Sequence, residues 1–314
     1  MYILPQLDVK RLGYDQIGYK RLAVEISNHC RGKCWWCTAP RNDSRLRSVD
    51  ELMDELSQHA HEFDSIHFMD NDLGVYPDRF LALCERLAAS SLRAVPKLAK
   101  MCVVSVSPPL ISAAVEAGFR IFSLGVESFN QNILDFLSKN ISTAQICEVL
   151  DTLLVNGIKP GINLIMFSTP ETIDSLNQTL DMALEYAQHG AYLNATGRLY
   201  VSMITSQRVL RRFRHLTHFE TVYFPGMSRP LELPEYIIVE DVSTRRIQEF
   251  ALARRRELEG QLGASVGEDV FSVPVRSLLL CGAIAEVLGR MDLAKLAGEI
   301  VEVTLKKEQD GQIL

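Results

Sequence analysis

The chain has 314 residues, 47% hydrophobic and 23% charged, with a net charge of -6. That balance describes an ordinary globular protein of one large or two medium domains, burying roughly three quarters of the surface its unfolded form exposes. The negative charge argues against nucleic acid as a partner. No stretch approaches the ~20 uninterrupted apolar residues of a membrane span, and the start MYILPQLDVKRLGYDQ lacks a signal-peptide run. A cytoplasmic, reducing location is expected. The seven cysteines, an odd number, then point to metal or catalysis rather than a disulfide framework.

After a leader segment (1–20), RLAVEIS (21–27) reads as a buried strand ending just before Cys30, Cys34 and Cys37. SVDELMDELSQHAHEF (48–63) opens with a capping box, Ser48 and Glu51, and continues as a helix. SIHFMD (65–70) is a second strand, and PDRFLALCERLAA (77–89) a helix with Pro77 in its first turn. MCVVSVS (101–107) reads as a third strand, followed by the helix PPLISAAVEAG, stopped by Gly118. RIFSLGVES (120–128) and GINLIMF (161–167) are strands four and five, separated by a helix over 142–156. ETIDSLNQTLDMALEYAQ (171–188) is a long helix, and AYLNATGRLYVSMI (191–204) contains a sixth strand.

Strands alternating with helices imply a parallel sheet, because each parallel pair needs a crossover. Six such units predict an α/β fold, a partial (βα)6 TIM-type barrel over residues 21–205. Residues 206–314 are expected to form a loop and helical extension covering the barrel mouth. Within it, FPGMSRPLELPEY (224–236) reads as a proline-rich loop, and 240–263 and 275–307 as helices.

Cys30, Cys34 and Cys37 gather three thiols in eight residues, while Cys84, Cys102, Cys147 and Cys281 are scattered in apolar contexts that suit buried thiols. A structural zinc site wants four ligands. A cubane iron–sulfur cluster on three thiolates leaves one iron open to an external ligand.

The Cys30-x3-Cys34-x2-Cys37 spacing after a strand resembles the cluster loop of the radical SAM superfamily, with Trp36 as the aromatic residue before the third cysteine. IHFMDNDLGVYPDRFLALCERL is similar to that family's second-strand region, and SPPLISAAVEAGFRIFSLGVESFNQNILDFLSKNIS to the Gly-x-Glu-Ser stretch of its cobalamin-binding and methylthiotransferase-type branch. INLIMFSTPET resembles the fifth-strand stretch, with Phe167 and Pro170 where relatives carry glycines. The resemblance covers roughly residues 20 to 205. It implies a 4Fe-4S cluster on Cys30, Cys34 and Cys37, whose open iron is chelated by S-adenosylmethionine. It makes Trp36, Asp70, Asn71, Asp72, Glu127, Ser128 and Asn163 the candidate contacts of that cofactor. Trp35 and Trp36 also suit plain core packing, and the Asp-Asn-Asp run a simple turn.

The implied chemistry is reductive cleavage of S-adenosylmethionine to a 5′-deoxyadenosyl radical, which takes hydrogen from the substrate. The cofactor supplies this chemistry, while the protein positions and excludes. Cys102 and Tyr200 are candidate catalytic hydrogen donors, expected on strands three and six facing the barrel. QRVLRRFRH (207–215) carries four arginines that either hold a substrate anion or form a solvated helix face. Only 29 residues precede Cys30, so the cobalamin domain of many relatives is not expected. The resemblance implies a small-molecule or amino-acid-derived substrate, reached by rearrangement, epimerisation, elimination or C–C bond formation in specialised metabolism. It also implies an electron donor such as flavodoxin or ferredoxin. A peptide or RNA modifier is the alternative, and a non-enzymatic zinc protein a third.

Overall fold

The computed structural model describes residues 21–27, 29–37, 46–201, 211–223, 229–266 and 272–309. Six strands, β1 (Arg21–Val24), β2 (Ser65–Phe68), β3 (Lys97–Met101), β4 (Phe119–Glu127), β5 (Lys159–Ile165) and β6 (Tyr192–Thr196), lie side by side in sequence order. Every neighbouring pair is parallel. Helices α1 (Val49–His59), α2 (Pro77–Ala88), α3 (Pro108–Glu116), α4 (Gln131–Phe136), α5 (Thr143–Val155) and α6 (Ile173–Gln188) fill the crossovers. The result is the expected partial TIM-type barrel.

Local chemistry sets the helix ends. Capping boxes start α1 (Ser48 with Glu51), α5 (Ser142 with Gln145) and α6 (Thr172 with Ser175). Gly118 (φ 85°) and Gly157 (φ 74°) close α3 and α5 in the left-handed conformation that favours glycine. Along the strands, alternate residues face the helices: Phe68, Ala99, Phe122, Leu124, Ile162 and Leu164 are all buried. By the parallel register, His67, Lys100, Ser123, Asn163 and Asn194 share the opposite, concave face.

The third strand lies at Lys97–Met101, four residues earlier than its apolar run predicts, and Val103–Ser105 is a 3-10 turn beyond it. The misleading residue is Lys97. It is fully buried, yet its ammonium donates to the carbonyls of Leu92 (2.6 Å) and Val95 (2.7 Å). Burial pulls its pKa down to about 8. The greasy stretch MCVVSV forms the turn at the sheet's end instead.

The sixth strand stops at Thr196. Leu199–Tyr200 (β7) belongs to a separate antiparallel sheet with β8 (Thr217–Val222) and β9 (Leu231–Ile237), in the order β7-β9-β8. The expected loop PLELPEY is therefore largely strand. Pro234 is tolerated because the register slips beside it: Phe219 pairs with Pro234 and His218 with Tyr236, leaving Glu235 as a bulge.

The last helices are α7 (Val242–Val266), α8 (Val273–Val287) and α9 (Met291–Gln309). The single helix expected over 275–307 is two, broken at Gly289 (φ 74°). Helix α8 is buried from Leu278 to Ala285 and packs on β6, where Ser277 Oγ accepts the Ala195 N–H at 2.9 Å. The leader 1–20 and residues 207–210 of the arginine run lie outside the described residues. Among the described residues, no helix is long and apolar enough to cross a membrane.

Candidate active site

The site forms at the C-terminal ends of the parallel strands, where loops converge. Beyond β1 the chain is held by Asp70, at the end of β2, whose carboxylate accepts the N–H groups of Ile26 (3.1 Å) and Ser27 (2.7 Å). Asp70 is buried, and that burial pushes its pKa up despite these bonds. The three loop cysteines that follow are half-buried free thiols. Gly32 draws two of them together. Its N–H donates to Cys30 Sγ at 3.3 Å, and a Cβ there would lie 3.3 Å from Cys30 Sγ and 3.6 Å from Cys34 Sγ. The Cys37 N–H donates to the Cys34 carbonyl at 3.3 Å.

Cys102 follows the end of β3 rather than lying within it, and its Sγ is 3.5 Å from that of Cys30. Asp72 holds it there. One carboxylate oxygen accepts the Cys102 N–H (3.1 Å), and the other the Ser105 hydroxyl (2.7 Å). The hydrogen bond with Cys102 pulls the Cys30 pKa down to about 6, aided by Gly32 and opposed by burial. The same bond, with burial, keeps Cys102 protonated well above the ordinary thiol range. Burial likewise raises Cys34. Potential ligand atoms of Cys30, Asp72 and Cys102 lie within 4.8 Å of one another. Both Asp72 oxygens already serve the β3 turn, so Asp70 and Asp72 act in this arrangement as braces for the two loops. Asn71 between them is half-buried.

Glu127 ends β4 in a left-handed conformation (φ 69°) that a non-glycine residue adopts at a cost. Its carboxylate lies 3.2 Å from Lys139 Nζ, with the side chains 9% and 11% exposed. Gly125 makes room, because a Cβ there would sit 2.8 Å from Glu127 Oε1 and 3.1 Å from Lys139 Nζ. Burial opposes the charge on Lys139, but the Glu127 carboxylate overcomes it, and its pKa rises. Sequence reasoning missed Lys139. In SKNIS it looks like a surface turn residue, and it turns inward because Ser138 (φ 57°) and Asn140 (φ 51°) flank it in left-handed conformations.

The other predicted residues divide. Ser128 is buried against α6, its hydroxyl 2.9 Å from Thr179 Oγ1 and accepting the Asn130 N–H at 3.1 Å. Asn163 lies in a polar row across three strands, donating to Ser123 Oγ (3.0 Å) and the Leu124 carbonyl (2.8 Å) and accepting from Asn194 (2.7 Å). Trp36 and Trp35 pack on the apolar group Ile133, Leu137 and Ile165, shared with Leu199 and Ile237 from the small sheet. Tyr200 is a correction. It is on β7, not the sixth barrel strand, and is 51% exposed against Tyr236, because the chain leaves the barrel at Thr196. Arg211, Arg212 and Arg214 are exposed. The scattered thiols Cys84 and Cys281 are buried, which pushes each up to about 12. A cavity of about 270 Å³ lies away from the site, below β5 and β6, lined by Lys159, Tyr192, Leu278 and Ile300.

The chain thus presents a parallel partial barrel with three free thiols in the loop after its first strand. Residues 24–183, just over half of the chain, match the Radical SAM superfamily. The chain belongs to the radical SAM superfamily, a family of enzymes that use S-adenosylmethionine and a 4Fe-4S cluster. It is 26% identical over 131 residues to the bacteriochlorophyllide d C-12(1)-methyltransferase of Chlorobaculum tepidum, covering 40% of this chain and 28% of that protein. It is 24% identical over 173 residues to the anaerobic magnesium-protoporphyrin IX monomethyl ester cyclase of Rubrivivax gelatinosus, covering 53% and 31%. The matched part is thus under a third of each curated relative's length.

The fold matches that of the radical S-adenosylmethionine methyltransferase TsrM from Kitasatospora setae. The TM-score is 0.60 at 14% identity, over 76% of this chain and 52% of that one. It also matches the cobalamin-dependent S-adenosylmethionine radical enzyme OxsB, with a TM-score of 0.57 at 15% identity, over 99% and 58%.

Proposed function

We propose that this chain is a radical SAM enzyme acting on a small-molecule or amino-acid-derived substrate. The observation that carries the reading is the convergence of the Cys30 and Cys34 sulfurs over Gly32, at the strand ends where Glu127 and Lys139 also meet. Soft thiolate donors of this kind suit iron–sulfur ligation. Cys30, Cys34 and Cys37 would hold the 4Fe-4S cluster. When bound and reduced, the cluster and S-adenosylmethionine supply a radical able to take hydrogen from an unactivated carbon.

The chain's own residues do the rest. Gly32 and Cys102 favour the thiolate at Cys30, which a metal ligand requires. Asp70 and Asp72 fix the two loops that bear these cysteines. Trp35 and Trp36 exclude water from one side of the loop. Lys139 places a positive charge where a carboxylate or other anion would be held, next to Glu127. Cys102 carries the protonated thiol needed for a hydrogen donor.

The substrate class rests on two supports. The curated relatives are named for bacteriochlorophyllide d and magnesium-protoporphyrin IX monomethyl ester, and TsrM binds a tryptophan substrate, all small molecules. The concave face below the site also presents Lys100 and His67 to whatever enters the barrel. An electron donor of the flavodoxin or ferredoxin type completes the reading, in a cytoplasmic setting.

The test is anaerobic. The cluster is reconstituted and reduced, S-adenosylmethionine is added, and 5′-deoxyadenosine is sought by mass spectrometry. Product from the native chain, and none from a Cys30→Ala/Cys34→Ala/Cys37→Ala variant, is the expected result. A native chain that takes up zinc but no iron with acid-labile sulfide would sink the reading.

A further inference from the structure

Arg211, Arg212 and Arg214 are exposed, in a chain whose net charge is -6. Among the described residues none of the three forms an ion pair. The residue between them, Phe213, turns inward. Its ring stacks on Trp35 with centroids 5.2 Å apart and planes 24° from parallel, and meets Phe136 edge-on at 5.8 Å. The guanidinium of Arg212 lies over Phe213, and that of Arg214 over Phe219, each 5.2 Å from the ring centroid. Trp35 is in turn anchored by its indole N–H, which donates to the Phe136 carbonyl at 2.5 Å. Trp35 directly follows Cys34 and precedes Cys37 by two residues. Two stacked rings therefore join an exposed cationic patch to the thiol loop.

We propose that Arg211, Arg212 and Arg214, adjoining Phe213 in the chain, form the docking face for a small acidic one-electron carrier protein. The inference rests on the cluster reading of Cys30, Cys34 and Cys37. A cluster in that loop needs an electron from outside the chain, and transfer requires close approach of the donor. Here the approach is over Phe213 and Trp35, whose apolar contact keeps water out of the path. The arginines supply the attraction: a group of like-signed charges steers an oppositely charged partner and orients it. The step is balanced by one electron lost from the donor and one gained by the cluster, with no atom transferred. Such encounters bury little area and weaken as salt rises.

The experiment uses the reconstituted full chain and a purified flavodoxin. Cluster reduction is followed by stopped-flow absorbance with either reduced flavodoxin or dithionite as donor, at low and high salt. Flavodoxin binding to the cluster-free chain is measured by calorimetry. For the Arg211→Glu/Arg212→Glu/Arg214→Glu variant the flavodoxin rate should fall at least about tenfold at low salt. Dithionite should reduce it at the native rate, and flavodoxin binding should be lost. The glutamine triple variant, which carries less risk to folding, should lie between. Equal flavodoxin rates for native and variant chains, or a native rate indifferent to salt, would overturn the proposal. So would an RNA oligonucleotide that binds the native patch while the variant is still reduced normally by flavodoxin. A chain that dithionite cannot reduce at all would instead remove the cluster reading, before any flavodoxin is added.

Discussion

Glu127 and Lys139 form a buried ion pair at 3.2 Å across the mouth of the barrel, in space left by the missing side chain of Gly125. Such a pair is costly to break from one side, because the survivor is left charged and desolvated. Lys139→Met should therefore destabilise the chain by about 3–5 kcal/mol in urea unfolding, and adding Glu127→Gln should recover much of that loss. A single variant as stable as the native chain would show that the pair is solvated.

Cys30 owes its low pKa first to the thiol of Cys102. In the cluster-free chain, Cys102→Ala removes that donor, so the thiolate loses stabilisation and the Cys30 pKa must rise from about 6 toward the ordinary 9.0. Anaerobic alkylation with iodoacetamide across pH, read at the Cys30 peptide, measures this. An unchanged titration curve would mean that the 3.5 Å contact does not form in solution.

Asp70 receives the N–H groups of Ile26 and Ser27 on its two oxygens. Asparagine has one acceptor oxygen, and its amide would oppose one of these N–H groups. Asp70→Asn should cost about 2–3 kcal/mol and loosen the entry to the cysteine loop. Iron bound per chain after reconstitution should fall with it. Native iron content in a destabilised variant would uncouple the brace from the site.

Glu171, in the loop after β5, is buried on hydrogen bonds from Ser168 and Ser175. Burial lifts its pKa from 4.5 to about 7. Between those values the folded chain keeps a proton that the unfolded chain has lost. The contribution is thus whole below about pH 4.5 and lost as pH rises through about 7, with an upper limit of about 3 kcal/mol. Glu171→Gln should flatten the fall in thermal stability between pH 5 and 7 seen in the native chain. Parallel native and variant profiles would place the titration elsewhere.

Five of the six barrel strands were legible, because alternation and apolar runs in RLAVEIS or GINLIMF report burial directly. The third was displaced by Lys97, whose burial depends on carbonyls of Leu92 and Val95 that no periodicity reveals. The strand PLELPEY was hidden by prolines, one of which the bulge at Glu235 accommodates. The run MCVVSVS predicts Cys102 inside the strand, and its position past the strand's end is what brings it to Cys30.

By itself the sequence determined what local chemistry can encode: the six strands and the helical crossovers between them, the capped helices, and three thiols on one short loop behind a strand. Contacts between distant segments were left to the tertiary structure. It set Lys139 against Glu127, gave the carboxylates of Asp70 and Asp72 the loop groups they hold, and moved Tyr200 onto an exposed sheet. The physical reason is range. Caps and alternation act over a few residues and can be read along the chain. A buried charge is stable only with a partner, and which residue supplies it is decided by how the loops at the strand ends pack together.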